Sequence, residues 1–174
     1  SSFAKVFSKK SGKDARLIEV ALKDSRQIIK MDYVRGILIT ETHHGFICAN
    51  SGVDSSNVGG NDVVLRLPEN PDRSANKLVS KIQHLTGIKN ISVIISDTFG
   101  RPWREGHVNY SIGSAGIQPT VDYRGNEDTF NKVMNVTDIA IVDEMASAAE
   151  LVMGKTSKIR VAIIRGFKYK NNKL

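Results

Sequence analysis

Cysteine is almost missing from this sequence: the 174 residues contain one, Cys48. A lone cysteine excludes an internal disulfide and any cysteine-based zinc cluster. Its place in the apolar stretch "GFICAN" predicts a buried, inert thiol in a strand. Long apolar runs are missing as well. None approaches the roughly 20 residues that a membrane-spanning helix needs. The first sixteen residues lack the apolar centre of a secretory leader, so the cytoplasm is the expected compartment and no membrane partner is expected. Two glycine signatures of nucleotide binding are also absent. No GxGxxG follows a strand, and no GxxxxGK[ST] opens a helix. "MGKTSK" (153–158) is only a fragment of the second signature, and it follows a predicted helix instead of preceding one. Internal repeats and low-complexity linkers are absent, so a single domain over 1–174 is expected.

What is present is ordinary for a globular chain: 40% apolar and 25% charged residues, in a length sufficient for a real core. The formal charge of +7 is unevenly spread. Residues 1–30 carry eight basic and three acidic side chains, and residues 31–120 eight of each. Residues 121–150 carry two basic and seven acidic, and residues 151–174 seven basic and none acidic. A basic surplus suits anionic ligands. Nucleic acid is not the expected one, because no strand interleaves aromatics with basic residues as a single-strand binder would.

Apolar periodicity predicts a helix over 13–30, "KDARLIEVALKDSRQIIK". Residues 36–50 read as a β-hairpin turning at His43-His44-Gly45, with the two histidines as turn residues pointing to opposite faces. Residues 51–62 are a polar loop, and "VVLRLP" (63–68) a short strand. A helix with Ala75, Leu78, Val79, Ile82 and Leu85 on one face stops at Gly87 and leaves His84 at the surface. A buried strand covers 91–95, and an extended segment 108–125. A helix runs through 136–154 with Thr137 as N-cap and Gly154 as stop, and 158–166 is a last strand. This order predicts an α+β fold with a mixed, largely antiparallel sheet and a few helices. The small, apolar run "HVNYSIGSAGI" (107–117) is expected at a two-fold interface.

The stretch most loaded with chemistry is "ISDTFGRPWREG" (95–106). It puts a carboxylate, a hydroxyl and two guanidinium groups where a buried strand is expected to end. Hard cations such as magnesium take oxygen ligands, commonly one or two carboxylates with waters and phosphate oxygens. Asp97 and Thr98 supply such oxygens, and Asp54 supplies another from the polar loop. Arg101 and Arg104 suit carboxylates and phosphates in fork geometry, and His107 follows within reach of the same substrate. Lys155 and Thr156, after the glycine stop, offer a cation and N–H groups to phosphate.

"SDTFGRPWREG", "IGSAGIQPTVDYRG", "VTDIAIVDEMASAAELVMG" and "VAIIRG", in this order, resemble the coenzyme F-420-0:gamma-glutamyl ligase family, and "NSGVDSSNV" is similar to its first metal loop. The resemblance runs from about residue 13 to residue 166. It implies GTP-dependent ligation of L-glutamate to the deazaflavin coenzyme F-420-0 through an acyl phosphate. It also implies two divalent ions, magnesium or manganese, a possible monovalent cation, and an unusual α+β fold forming an intertwined homodimer. By the same resemblance Asp54 and Asp97 are ligands of one metal and Thr98 of a second. Asn57 is then a nucleotide contact, and Met153, Gly154, Lys155 and Thr156 form the nucleotide-phosphate loop. Arg101, Arg104 and His107 are the substrate-side candidates. Family members carry a further N-terminal segment and continue past the last strand, so this chain is expected to lack both. A second reading of the resemblance is a non-catalytic domain that binds nucleotide or coenzyme.

Overall fold

In the computed structural model, described for residues 1–56, 58–60 and 62–171, the chain forms two compact units, Ser1–Pro68 and Glu69–Leu174. The first opens with a helix where no element was expected, α1 (Ser2–Ser11). Its ends explain it. The Ser1 hydroxyl accepts from the Ala4 amide at 3.2 Å, and Gly12 closes the helix in the left-handed region while donating to Ser8 O, an N-cap and a glycine C-cap. The helix buries Ala4 and Phe7. Helix α2 (Ala15–Lys23) starts on Asp14, whose carboxylate accepts from the Arg16 amide at 2.8 Å.

The helix expected over 13–30 ends at Lys23, and strand β1 (Ser25–Asp32) follows. Ile28 and Ile29 fit the helical spacing, but β-branched pairs also suit a pleated surface, and pairing with a neighbouring strand decides between the two. That neighbour is β2 (Ile37–Thr42), antiparallel to β1 from Ser25↔Thr42 to Asp32↔Ile37, with β3 (Ile47–Ala49) on its other side. The expected hairpin at His43-His44-Gly45 is present, with Gly45 at φ 94°. The histidine rings do not diverge, however: their centroids lie 3.8 Å apart, with the ring planes tilted by 36°. The core is Ala4, Phe7, Ile18 and Leu38, with Ile28 and Tyr33 packed against it. Cys48 is buried in β3 as expected. Residues 63–68 form no strand; Leu65 makes only an isolated bridge to Asp54.

The second unit is built on a long hairpin, β4 (Val93–Arg101) and β5 (Arg104–Ala115). Successive strand residues face opposite sides, and each side is covered by a helix. Val93 and Ile95 join Ala75 and Val79 of α3 (Pro71–Thr86), whereas Ile94 joins Ile141 and Val142 of α4 (Ile141–Met153). Helix α3 stops at Gly87 as expected, and His84 is exposed. An acidic residue in the first turn of each helix holds β5. Asp72 accepts from the Ser114 amide, and Asp143 from the Ser111 amide, both at 2.8 Å. Within the run 107–117, Ile112, Ala115 and Ile117 are buried by the chain's own packing.

Helix α4 begins later than the expected 136. Asp138–Ile139 is a short strand, β7, paired with β6 (Val121–Asp122). Thr137 is thereby not the cap: its carbonyl accepts from the Tyr123 amide, and Ala140 precedes the helix with no side-chain cap. Gly154 ends α4 as expected. Residues 158–166 form no strand among the described residues, and Val161 and Ile163 stand largely exposed. Every described strand pairing is antiparallel, so the chain is α+β with small antiparallel sheets. No described helix is long and apolar enough to cross a membrane.

Candidate functional site

Asp97 and Thr98 do not lie beyond a strand end. They sit inside β4, which runs on to Arg101, opposite Tyr110 and Asn109 of β5. The polar residues after Ile95 misled the reading: they continue the ladder because β5 supplies partners that a sequence window does not show. Adjacent on a strand, the two side chains take opposite faces of the ribbon. Thr98 shares the face of Ile94, on which α4 packs.

The Thr98 hydroxyl donates to Asn109 Oδ1 at 2.7 Å and accepts from the Lys155 ammonium. Two residues 57 apart in the chain, singled out separately as metal ligand and phosphate contact, thus meet in one hydrogen bond. Lys155 also stands 3.5 Å from the Glu150 carboxylate. Asn109 was not anticipated. It is buried at 4% exposure, its Nδ2 lies 3.5 Å from Ser96 Oγ, and its carbonyl accepts from the Ser147 hydroxyl. A polar residue inside a small-residue run was its only signal.

Met153, Gly154, Lys155 and Thr156 form the carboxyl end of α4 and the turn after it. Helix carboxyl ends carry partial negative charge. Here two carbonyls are already engaged, Glu150 O by the Gly154 amide and Met153 O by the Ser157 hydroxyl. At this helix end positive charge comes from side chains such as Lys155, not from the helix dipole.

Asp54 lies in the first unit, exposed, in the turn after Asn50–Gly52. Its two carboxylate oxygens accept from the Ser56 amide and hydroxyl, each at 2.7 Å. The segment leading to it is unusual. Asn50, Ser51 and Gly52 all have left-handed φ, at 51°, 56° and 72°. Two non-glycine residues in that region are strained, and a buried network holds them. The Ser51 hydroxyl donates to Ala21 O at 2.7 Å, its amide donates to Thr40 Oγ1 at 2.9 Å, and Lys13 Nζ reaches Asn50 Oδ1 at 3.1 Å. Burial holds the Lys13 ammonium below its ordinary pKa. Asn57 lies outside the described residues.

The arginines flank the hairpin tip. Trp103 there has φ 55° and is fully exposed, not packed on the body of the unit. The Arg101 guanidinium donates to Glu105 O and fastens its own turn. Arg104 and His107 are exposed on β5.

The donors expected for a divalent cation are all oxygens, which suits magnesium or manganese. Thr98 Oγ1 already holds a cationic group in Lys155, so its open lone pair fits a positive charge. Among the described residues no three His, Cys, Asp or Glu side chains gather into a metal group.

Comparisons agree with the resemblance. The family model described as F420-0:gamma-glutamyl ligase matches residues 1–166. The chain is 46% identical over 160 residues to the coenzyme F420:L-glutamate ligase of Methanocaldococcus jannaschii, covering 91% of this chain and 62% of that protein. To the protein of the same name from Methanothermobacter thermautotrophicus it is 42% identical over 161 residues, covering 92% of this chain and 62% of the relative. For that of Methanopyrus kandleri the figures are 43% over 169 residues, 97% and 66%. The chain thus spans somewhat under two thirds of the length of these relatives. It belongs to the F420-0:gamma-glutamyl ligase family.

Proposed function

We propose that this chain serves GTP-dependent ligation of L-glutamate to the deazaflavin coenzyme F-420-0, in the cytoplasm and as a homodimer. The γ-phosphoryl group of GTP passes to a carboxylate oxygen of the coenzyme precursor, giving an acyl phosphate and GDP. The glutamate amine then attacks the acyl carbon. The bond to the phosphate oxygen breaks, inorganic phosphate leaves with the electron pair, and the amine loses a proton to leave the amide. Divalent cations would supply positive charge against the triphosphate oxygens, with Asp54 and Asp97 as the expected ligands of one ion and Thr98 of a second. Thr98 presents a lone pair toward that charge. Lys155 compensates the negative charge of phosphate beside the α4 terminus. Arg104 and His107 offer exposed donors to the anionic substrates.

The observation that carries this reading is the Thr98–Lys155 hydrogen bond, which joins two of the expected positions without reference to any relative. The test is to incubate the chain with F-420-0, L-glutamate, magnesium or manganese, and either GTP or ATP. A product heavier by one glutamate residue, with release of GDP and phosphate, is expected with GTP. No mass gain with either nucleotide overturns the proposal, and a gain with ATP alone overturns the GTP assignment. Sedimentation showing only monomer at micromolar concentration would remove the homodimer.

A further inference from the structure

We infer that Asn109 is a positioning residue that fixes the polarity of the Thr98 hydroxyl, turning it into an obligate acceptor toward a bound cation. The inference rests on the reading of Thr98 as a metal ligand and adds a residue to it. A threonine hydroxyl has one proton and can rotate it to suit its surroundings. In water or beside a free phosphate it donates as readily as it accepts, and a hydroxyl that donates toward the ligand side presents the wrong charge to a cation.

Here the proton is committed. Asn109 Oδ1 is an acceptor only, 2.7 Å from Thr98 Oγ1, so Thr98 must donate to it. What remains on Oγ1 is lone pair, and it already faces a positive group, the Lys155 ammonium. Asn109 is able to enforce this because its surroundings hold it in place. It is 4% exposed, its register opposite Thr98 is set by the β4–β5 ladder, and its backbone carbonyl is held by Ser147 on α4. Its amide nitrogen turns toward Ser96 Oγ, which keeps the carbonyl oxygen on the Thr98 side.

Binding of manganese to the intact chain, followed by electron paramagnetic resonance as free Mn²⁺ disappears, tests this without any turnover. Thr98→Val should weaken manganese binding. Asn109→Leu, which keeps volume and removes the acceptor, should weaken it by roughly two- to tenfold, the range a hydrogen bond of this kind is worth. Asn109→Asp keeps an oxygen acceptor at the same place and should bind manganese at least as tightly as the native chain. In the Thr98→Val background, Asn109→Leu should have no further effect, because the hydroxyl it orients is gone. Melting temperatures are measured alongside. Should Asn109→Leu not fold, Asn109→Ala removes the same acceptor and takes its place.

If Thr98→Val weakens binding but the Asn109 acceptor variants do not, the inference is wrong and the reading of Thr98 stands. Equal weakening by Asn109→Leu with and without Thr98 also overturns the inference, since a merely structural role would behave that way. Loss of binding in Asn109→Asp overturns it too. If Thr98→Val binds manganese like the native chain, or the native chain leaves Mn²⁺ free, the inference falls together with the metal reading beneath it.

Discussion

Lys155 touches Thr98 with the same kind of charge that a metal ion would bring. On the metal reading proposed above, the ammonium would disfavour a divalent cation bound at the same oxygen until a phosphate drew the lysine away. Lys155→Met removes the competitor while keeping most of the stem. Manganese affinity without nucleotide should then rise by about two- to fivefold, the scale of a single exposed charge contact, while GTP affinity in the presence of the metal falls. A fall in both would mean that Lys155 supports the metal directly. A second residue-scale expectation concerns Asp122, which lies inside one of the motifs shared with the ligases. The Arg124 guanidinium, by its hydrogen bonds to the carboxylate, holds Asp122 down to about 2. A lowered carboxylate stabilises the fold above the ordinary value of about 3.9, and that contribution disappears as pH falls through about 2. In Arg124→Met the Asp122 titration followed by NMR should move up toward the ordinary value. The stability difference between variant and native chain should close below pH 2. An unmoved midpoint would show that Arg124 does not hold the carboxylate in solution.

At the scale of elements, the hairpin of β4 and β5 is where sequence and structure part most clearly. The helix α3, the hairpin at Gly45 and the stop at Gly154 were legible because each carries its own local signal: a 3.6-residue period, or a glycine at a left-handed position. The run of β4 through Asp97 and Thr98 was not, since nothing near those polar residues announces that β5 will pair with them. Helix α4 begins at Ile141 instead of 136 for the same kind of reason, a two-residue pairing of β7 with β6 that only the fold supplies. The chemistry-bearing residue types could be read from the sequence. Their contacts could not, and neither could Asn109, whose importance lies entirely in what stands opposite it. The packing of α3 on β5 gives this a measurable edge. A Cβ placed on Gly113 would lie 2.5 Å from the carbonyl carbon and Cβ of Pro71, at the start of α3. Backbone cannot yield as a flexible side chain does. Gly113→Ala should therefore cost about 1–3 kcal/mol in denaturant unfolding, the usual cost of overpacking. A cost near zero would mean that α3 is free to lift from the hairpin.

For the whole molecule, the basic surplus of +7 makes a separate claim, because every proposed substrate is an anion. If that surplus acts on ligands through space, and not only through one or two direct contacts, salt must weaken binding. Raising ionic strength from about 0.1 M to 1 M shortens the screening length from about 10 Å to about 3 Å. Distant basic groups then stop contributing, while a direct contact such as the one proposed for Lys155 would still do so. GTP with magnesium should bind several-fold more weakly across that range, measured by calorimetry in tetramethylammonium chloride so that no small alkali cation is introduced. Neutral guanosine is the control. Its binding should change little, because it has no charge for the field to act on. The same salt should raise the melting temperature of the ligand-free chain, since screening relieves the repulsion among like charges that a net charge far from zero imposes. The two effects have opposite signs and one cause, which separates them from a general effect of salt on folding. If GTP and guanosine weaken together, salt is acting on the fold or on the base contact, and the basic surplus is then a matter of solubility with no part in capturing the nucleotide.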